Sequence, residues 1–283
     1  MCLAVGALGL AACAPKGSAG SDPSDALAKA IQKTLDAGSL RMAYDLSMNG
    51  GGRGFEISGD GELVLAAPAA HMTVQFPSFG PGQPAGEVEM ILTDRVVYLK
   101  APFLQDAFGV KTPWVSIDPT ELGAGHANVP DGSGQYDPAK ALDLLRGVTE
   151  VTEEGTDTIG GRPAVRYRAT VDLAKAMHRV VQQAHLPTTA GDPTSELEKV
   201  LGSNTKLPID LWVADGYVVR VRVDFPFPSE LAMGQDVRLV MTASLSDFGA
   251  TFDISPPPAD QVTDVTKRLA AHAEAAGGAW AKN

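Results

Sequence analysis

The sequence predicts an α+β fold: one strongly curved antiparallel sheet of about ten strands, a half-barrel, with helices across its open concave side. Three observations predict it. Six segments alternate apolar and polar residues with period two, and three Asp-Pro pairs open or punctuate amphipathic helical stretches. The helices are also too few and too short to cover a flat sheet of that width, so a sheet that twists strongly must curl around its own apolar face.

Residues 1–12 are apolar, rich in Ala, Gly and Leu, too short to span a bilayer, and end in small residues. They read as the end of a secretory signal. Leu10-Ala11-Ala12-Cys13 resembles the lipobox of bacterial lipoproteins, which implies that Cys13 receives a diacylglyceryl group and becomes the acylated mature N-terminus. Residues 1–13 are then a signal segment, and 14–22, with Pro, Gly and Ser, a flexible tether. A single domain is expected over 23–265 and a helical tail over 266–283.

Asp22-Pro23 places an N-cap acceptor before a proline that needs no helical N–H, so a helix is expected from Pro23 to Ala37, with Leu27, Ile31 and Leu35 on one face and Gly38 ending it. The same logic at Asp137-Pro138 predicts a helix to Arg146, with Leu142 and Leu145 apolar. After Asp172, Leu173, Met177, Val180, Val181 and Ala184 recur at helical spacing, and Asp192-Pro193 opens a short companion to Leu201. This region, jointed between Pro187 and Pro193, is positioned to act as a gate. A tail helix around Gln261 to Ala276 carries Val262, Val265 and Leu269 on one side, suited to packing on the sheet edge.

The strands read by alternation. In residues 41–48, Met42, Tyr44, Leu46 and Met48 share one face. Met72, Val74 and Phe76 do so in the next apolar run; then Val88, Met90 and Leu92; Val165, Tyr167, Ala169 and Val171; Val219, Val221, Val223 and Phe225; and Val237, Leu239, Met241, Ala243 and Leu245. Asp60-Gly61, Gly160-Gly161 and Asp215-Gly216 suit hairpin turns, and Gly50-Gly51-Gly52 a hairpin tip. The candidate lining of the concave side is therefore Met42, Tyr44, Leu46, Met72, Val74, Phe76, Met90, Leu92, Val219, Val221, Leu239 and Met241, with Met177 from a helix. Methionines are unbranched and polarizable, which suits irregular or changing apolar partners, although ordinary core filling uses them too. Tyr44, Tyr98 and Tyr167 are further lining or rim candidates.

Composition narrows the function classes. Of the two cysteines Cys2 lies in the discarded segment and Cys13 is spent on lipid, so the domain has neither disulfide nor thiol chemistry. A net charge of -11 argues against nucleic acid and against a polybasic grip on anionic lipid. The histidines, His71, His126, His178, His185 and His272, are dispersed without a metal-ligand pattern. No serine sits in a nucleophile elbow and no glycine run carries the lysine and following helix of a phosphate loop. No enzyme activity, cofactor or metal is expected. Arg166, Arg168, Arg220, Arg222 and Arg238 project from wet strand faces, where Asp210 and Asp224 can pair with them.

The segment Leu207–Val223, the motif Ser246-Asp247-Phe248-Gly249 and the run Ser255-Pro256-Pro257-Pro258-Ala259-Asp260 resemble those of the LppX/LprG group of actinobacterial lipoproteins, which have the LolA/LolB-like fold. The resemblance covers residues 22–265 and departs at residues 101–136 and in the Ala-rich tail. It implies a half-barrel with a hydrophobic cavity that carries a lipid or lipidated glycoconjugate through the cell envelope, anchored to the outer face of the cytoplasmic membrane, with an envelope transporter as partner. The other reading is an envelope sensor or scaffold with a filled interior and no cargo.

Overall fold

A computed structural model describes residues 22–50, 53–65, 69–78, 85–121, 144–172, 206–227 and 237–271. Cys13, the signal segment and tether, the helices expected over 173–201 with Met177, and His126, His178, His185 and His272 lie outside these residues. So does most of the helix expected from Pro138; its end, Leu144–Gly147, is a 3-10 turn.

Helix α1 spans Pro23–Leu35. Asp22 caps it, its Oδ1 accepting from the Ser24 N–H at 2.9 Å, and Gly38 at φ +77° turns the chain out. The strands are β1 (Ser39–Gly50), β2 (Arg53–Val64), β3 (Ala69–Phe76), β4 (Gly86–Thr93), β5 (Val96–Lys100), β6 (Trp114–Ile117), β7 (Val148–Ile159), β8 (Arg162–Asp172), β9 (Lys206–Ala214), β10 (Tyr217–Phe227), β11 (Val237–Ser246) and β12 (Val262–Asp264). Helix α2 (Pro102–Phe108) joins β5 to β6, and α3 begins at residue 266.

All twelve strands form one curved, unclosed sheet in the order β12-β6-β5-β4-β3-β2-β1-β11-β10-β9-β8-β7. This is the expected α+β half-barrel, with two strands more than foreseen. Every pairing is antiparallel except β12 with β6, which is parallel. The chain therefore reaches the sheet edge first as a strand and only then as a helix: Val262 lies opposite Trp114, and Val265, fully buried, packs with Val115 and Ile117. A strand rather than a helix forms over residues 262–264 because β6 offers an unpaired edge there.

Two turn expectations hold: Gly160-Gly161 and Asp215-Gly216 take positive φ between paired strands. Gly50 pairs with Arg53, consistent with a hairpin between β1 and β2. Asp60-Gly61, in contrast, is no turn and lies inside β2. The reason is close approach: a Cβ on Gly59 would stand 2.7 Å from the Tyr44 ring and 2.6 Å from the Thr73 carbonyl oxygen, and one on Gly61 would stand 2.7 Å from Met72 Cγ. Glycine here leaves room for neighbouring side chains on the inner face.

α1 packs on the inner face of β7 to β10, burying Leu27 and Ile31 against Tyr167, Ala169, Ile209, Leu211, Val218 and Val221. Full burial of such aliphatic side chains contributes about 1.5–3 kcal/mol each. At the other end, Leu104 and Phe108 of α2 and Leu269 of α3 pack on Leu99, Val115 and Ile117. Helices thus cover both ends of one sheet face, hereafter the inner face.

Candidate functional site: the inner apolar face

Strand register places the expected lining residues in lines that cross the sheet. Leu40, Leu63, Ala70, Leu92, Val97 and Ile117 stand opposite one another from β1 to β6 and are at most 7% exposed. This line is a closed floor. One step along the strands lie Met42, Gly61, Met72, Met90 and Leu99, with Leu245 on β11; the four unglycinated positions from β1 to β5 are half-buried. The next line runs Val221, Ala243, Tyr44, Gly59, Val74, Val88, and the one beyond it Val223, Met241, Leu46, Ile57, Phe76. Met48 follows, between Leu239 and Phe55. In β1, β3, β4 and β11 the residues of these outer lines are half-buried, whereas those facing α1 on β8 and β9 are closed over. The face is therefore sealed at its floor and at the α1 end, and partly buried along the lines from Met42 to Met48.

The structure thus brings together Met42, Tyr44, Leu46, Met72, Val74, Phe76, Met90, Leu92, Val221, Leu239 and Met241. Leu92 and Val221 differ from the others in being buried.

Val219 is a correction. The β9–β10 ladder shifts between Val218 and Arg220, so Val219 leaves the inner face and packs with Trp212, Ala214 and Ala164 on the outer one. A bulge adds one residue to one strand and reverses the alternation beyond it. Val218 takes the inner place and is fully buried. Its N–H donates to Thr34 Oγ1 of α1 at 2.9 Å, while that hydroxyl donates to the Ala30 carbonyl at 2.8 Å. Tyr98 is likewise on the outer face, opposite Ile91 and Ser116.

Two phenols sit among these apolar side chains. Burial raises the pKa of both above the ordinary tyrosine value, with the charges of Asp60 (for Tyr44) and Glu153 (for Tyr167) adding to it. Both remain neutral hydrogen-bond donors at physiological pH. Tyr167 is closed into the α1 core, and half-buried Tyr44 is the one placed to meet a polar ligand group.

Away from the Val219 cluster the outer face carries the arginine–carboxylate pairs that the sequence suggested, although the Arg166 Nε is buried without a hydrogen-bond partner among the described residues. Asp210 accepts from Arg166 at 3.0 Å and Arg168 at 3.1 Å, and Asp224 from Arg238 at 2.6 Å, with Arg222 at 3.6 Å. Arg220 donates to Ser244. His71 shares Glu89 with Lys100, at 3.0 and 2.9 Å.

Sequence reading missed β2. Phe55, Ile57, Gly59, Gly61 and Leu63 alternate as cleanly as any strand once glycine is counted as an inward position. It also left α2 without an account, since seven residues are too few for a period to emerge. No helix among the described residues is long and apolar enough to cross a membrane.

No family model matches the chain, nor does any curated protein. Solved structures similar to it include LprF from Mycobacterium bovis, 19% identical with a TM-score of 0.48, covering 83% of this chain and 96% of that one. Lipoprotein LppX from Mycobacterium tuberculosis is 17% identical with a TM-score of 0.42, covering 83% and 100%. A LolA superfamily protein from Nitrosomonas europaea is 8% identical with a TM-score of 0.23, covering 85% and 97%. Two mycobacterial lipoproteins, LprF and LppX, are thus among the solved structures that this chain resembles, and they belong to the group that its own motifs resemble.

Proposed function

We propose that the protein is an exported, non-catalytic lipoprotein, anchored through acylated Cys13, that binds the acyl chains of a lipid or lipidated glycoconjugate on its inner face and carries it within the cell envelope. One observation supports this above all: across β1, β2, β3, β4 and β11 the apolar face is closed along its floor but only partly buried along the lines beyond it, although both ends of it are packed under helices. Apolar surface left open inside a fold is costly at about 25 cal/mol per Å², and hydrocarbon from a ligand removes that cost. A pocket for such a ligand needs few polar groups, and the Tyr44 phenol supplies one.

Native mass spectrometry of the protein purified from its host tests the reading. Reproducible lipid adducts, displaced by added lipid from vesicles, are expected. A consistently bare mass with no uptake would sink the carrier and favour an envelope sensor. Intact mass of the N-terminal peptide tests the anchor, with a diacylglyceryl increment on Cys13 expected.

A further inference from the structure

Phe103 is the one large apolar side chain that is exposed among the described residues, at 53%. A single exposed phenylalanine is unremarkable on a protein surface. This one is placed by an otherwise well-held helix. Leu104 and Phe108 fix α2 to Leu99 and Val115, Gly109 ends it at φ +60°, Gln105 Nε2 donates to the Thr112 carbonyl, and Arg268 donates to the Phe108 carbonyl at 2.7 Å. The exposed turn of Pro102 and Phe103 is therefore presented on a fixed base.

Its neighbour is equally specific. Phe103 meets Phe76 edge-on, ring centroids 6.3 Å apart at 68°. Phe76 ends the inner-face set of β3, opposite Gly86 of β4, and is partly buried. Beside it a groove of about 620 Å³ is edged by Phe55, Phe76 and Pro77 and lined otherwise by polar outer-face side chains, among them Glu56, Ser58 and Gln75. On the inner side of that groove, Phe103 leads through Phe76 toward the partly buried lines of Leu46 and Tyr44.

We propose that Phe103, seated on Phe76, is the sill by which the protein touches a bilayer and over which an alkyl chain slides onto the inner face. The proposal rests on the carrier reading. A tail that crossed open water would expose every methylene at once, and a first contact on the Phe103 and Phe76 rings shortens that crossing. The contact is hydrophobic rather than electrostatic. The helix bearing Phe103 contains Asp106 and no Lys or Arg, the Lys100 that precedes it is paired with Glu89, and the chain's net charge is -11, so the exposed ring is the attraction assigned here, beside the flanking Lys111 and Arg268.

Stopped-flow uptake of a fluorescent-acyl phosphatidylcholine from phosphatidylcholine vesicles tests it, using the full chain and its Phe103→Ser and Phe103→Leu variants, each checked by circular dichroism. Phe103→Ser should load about tenfold more slowly, with an equilibrium affinity within about twofold of the parent, and Phe103→Leu should recover the rate. Adding phosphatidylserine to the vesicles should leave the parent rate unchanged. Equal rates for parent and Phe103→Ser overturn the sill while leaving the carrier intact. Equal losses of rate and affinity overturn it too, by making Phe103 part of the resting site. No uptake by the parent overturns the carrier reading and the sill together.

Discussion

The Thr34 hydroxyl of α1 accepts the backbone N–H of Val218, 184 residues along the chain, at the residue where the β9–β10 ladder slips. Both groups are buried, so the bond closes a polar gap that the bulge would otherwise leave, and it ties the helix to the sheet. Lys33 reinforces the junction by donating to the Asp215 carbonyl at 2.8 Å.

Replacing Thr34 by Val keeps the shape and strands the Val218 N–H. A loss of about 1–3 kcal/mol in unfolding free energy is expected from urea titration. Thr34→Ser, which keeps the hydroxyl, should lose less. Equal losses for the two would place the effect in packing instead of the hydrogen bond.

Gly59 tests the close approach within β2. Gly59→Ala puts a methyl against the Tyr44 ring and the Thr73 carbonyl oxygen. A destabilisation of about 1–3 kcal/mol is expected. Adding Tyr44→Ala should recover only part of it, because the backbone oxygen stays in place.

The half-exposed inner face should tolerate polarity in the fold yet not in its function. Leu46→Lys places a charge between Met241 and Ile57, and acyl-chain binding should fall at least about tenfold by fluorescence titration. Asp45→Asn, exposed on the opposite face of the same strand, should bind like the parent. Similar losses for both would mean that lipid does not use this face.

Acid should weaken the fold through its depressed carboxyls. Asp224 is held below the ordinary aspartate value by hydrogen bonds from Arg238, working against burial and aided by the Arg238 and Arg222 charges. In Glu89 burial pushes upward, yet hydrogen bonds from Lys100 and His71 prevail and leave it lowered. A carboxyl with a lower pKa in the folded state adds stability above its unfolded value and loses it as pH falls through the folded one. The urea midpoint should thus hold from pH 7 to about pH 5 and drop below about pH 4. Asp224→Asn should remove a share of that drop of less than about 1 kcal/mol. An unchanged acid limb would show that the Arg238 pair does not contribute.

The sequence by itself determined what local chemistry fixes. Asp22-Pro23 located α1 because capping and proline geometry act within one turn, and unbroken alternation assigned Met42, Tyr44, Leu46, Met72, Val74, Phe76, Met90, Leu92, Leu239 and Met241 to one face because strand side chains repeat every two residues. Only the tertiary structure decided the rest. Val219 left that face because a bulge depends on how the neighbouring strand pairs, and residues 262–264 became a parallel strand because β6 offered an edge. Gly59 and Gly61 lie mid-strand because their empty positions are filled by Tyr44 and Met72, and Phe103 of α2 stands edge-on to Phe76, far earlier in the chain on β3. These are non-local contacts, set by the packing of segments far apart in the chain, and no local period encodes them.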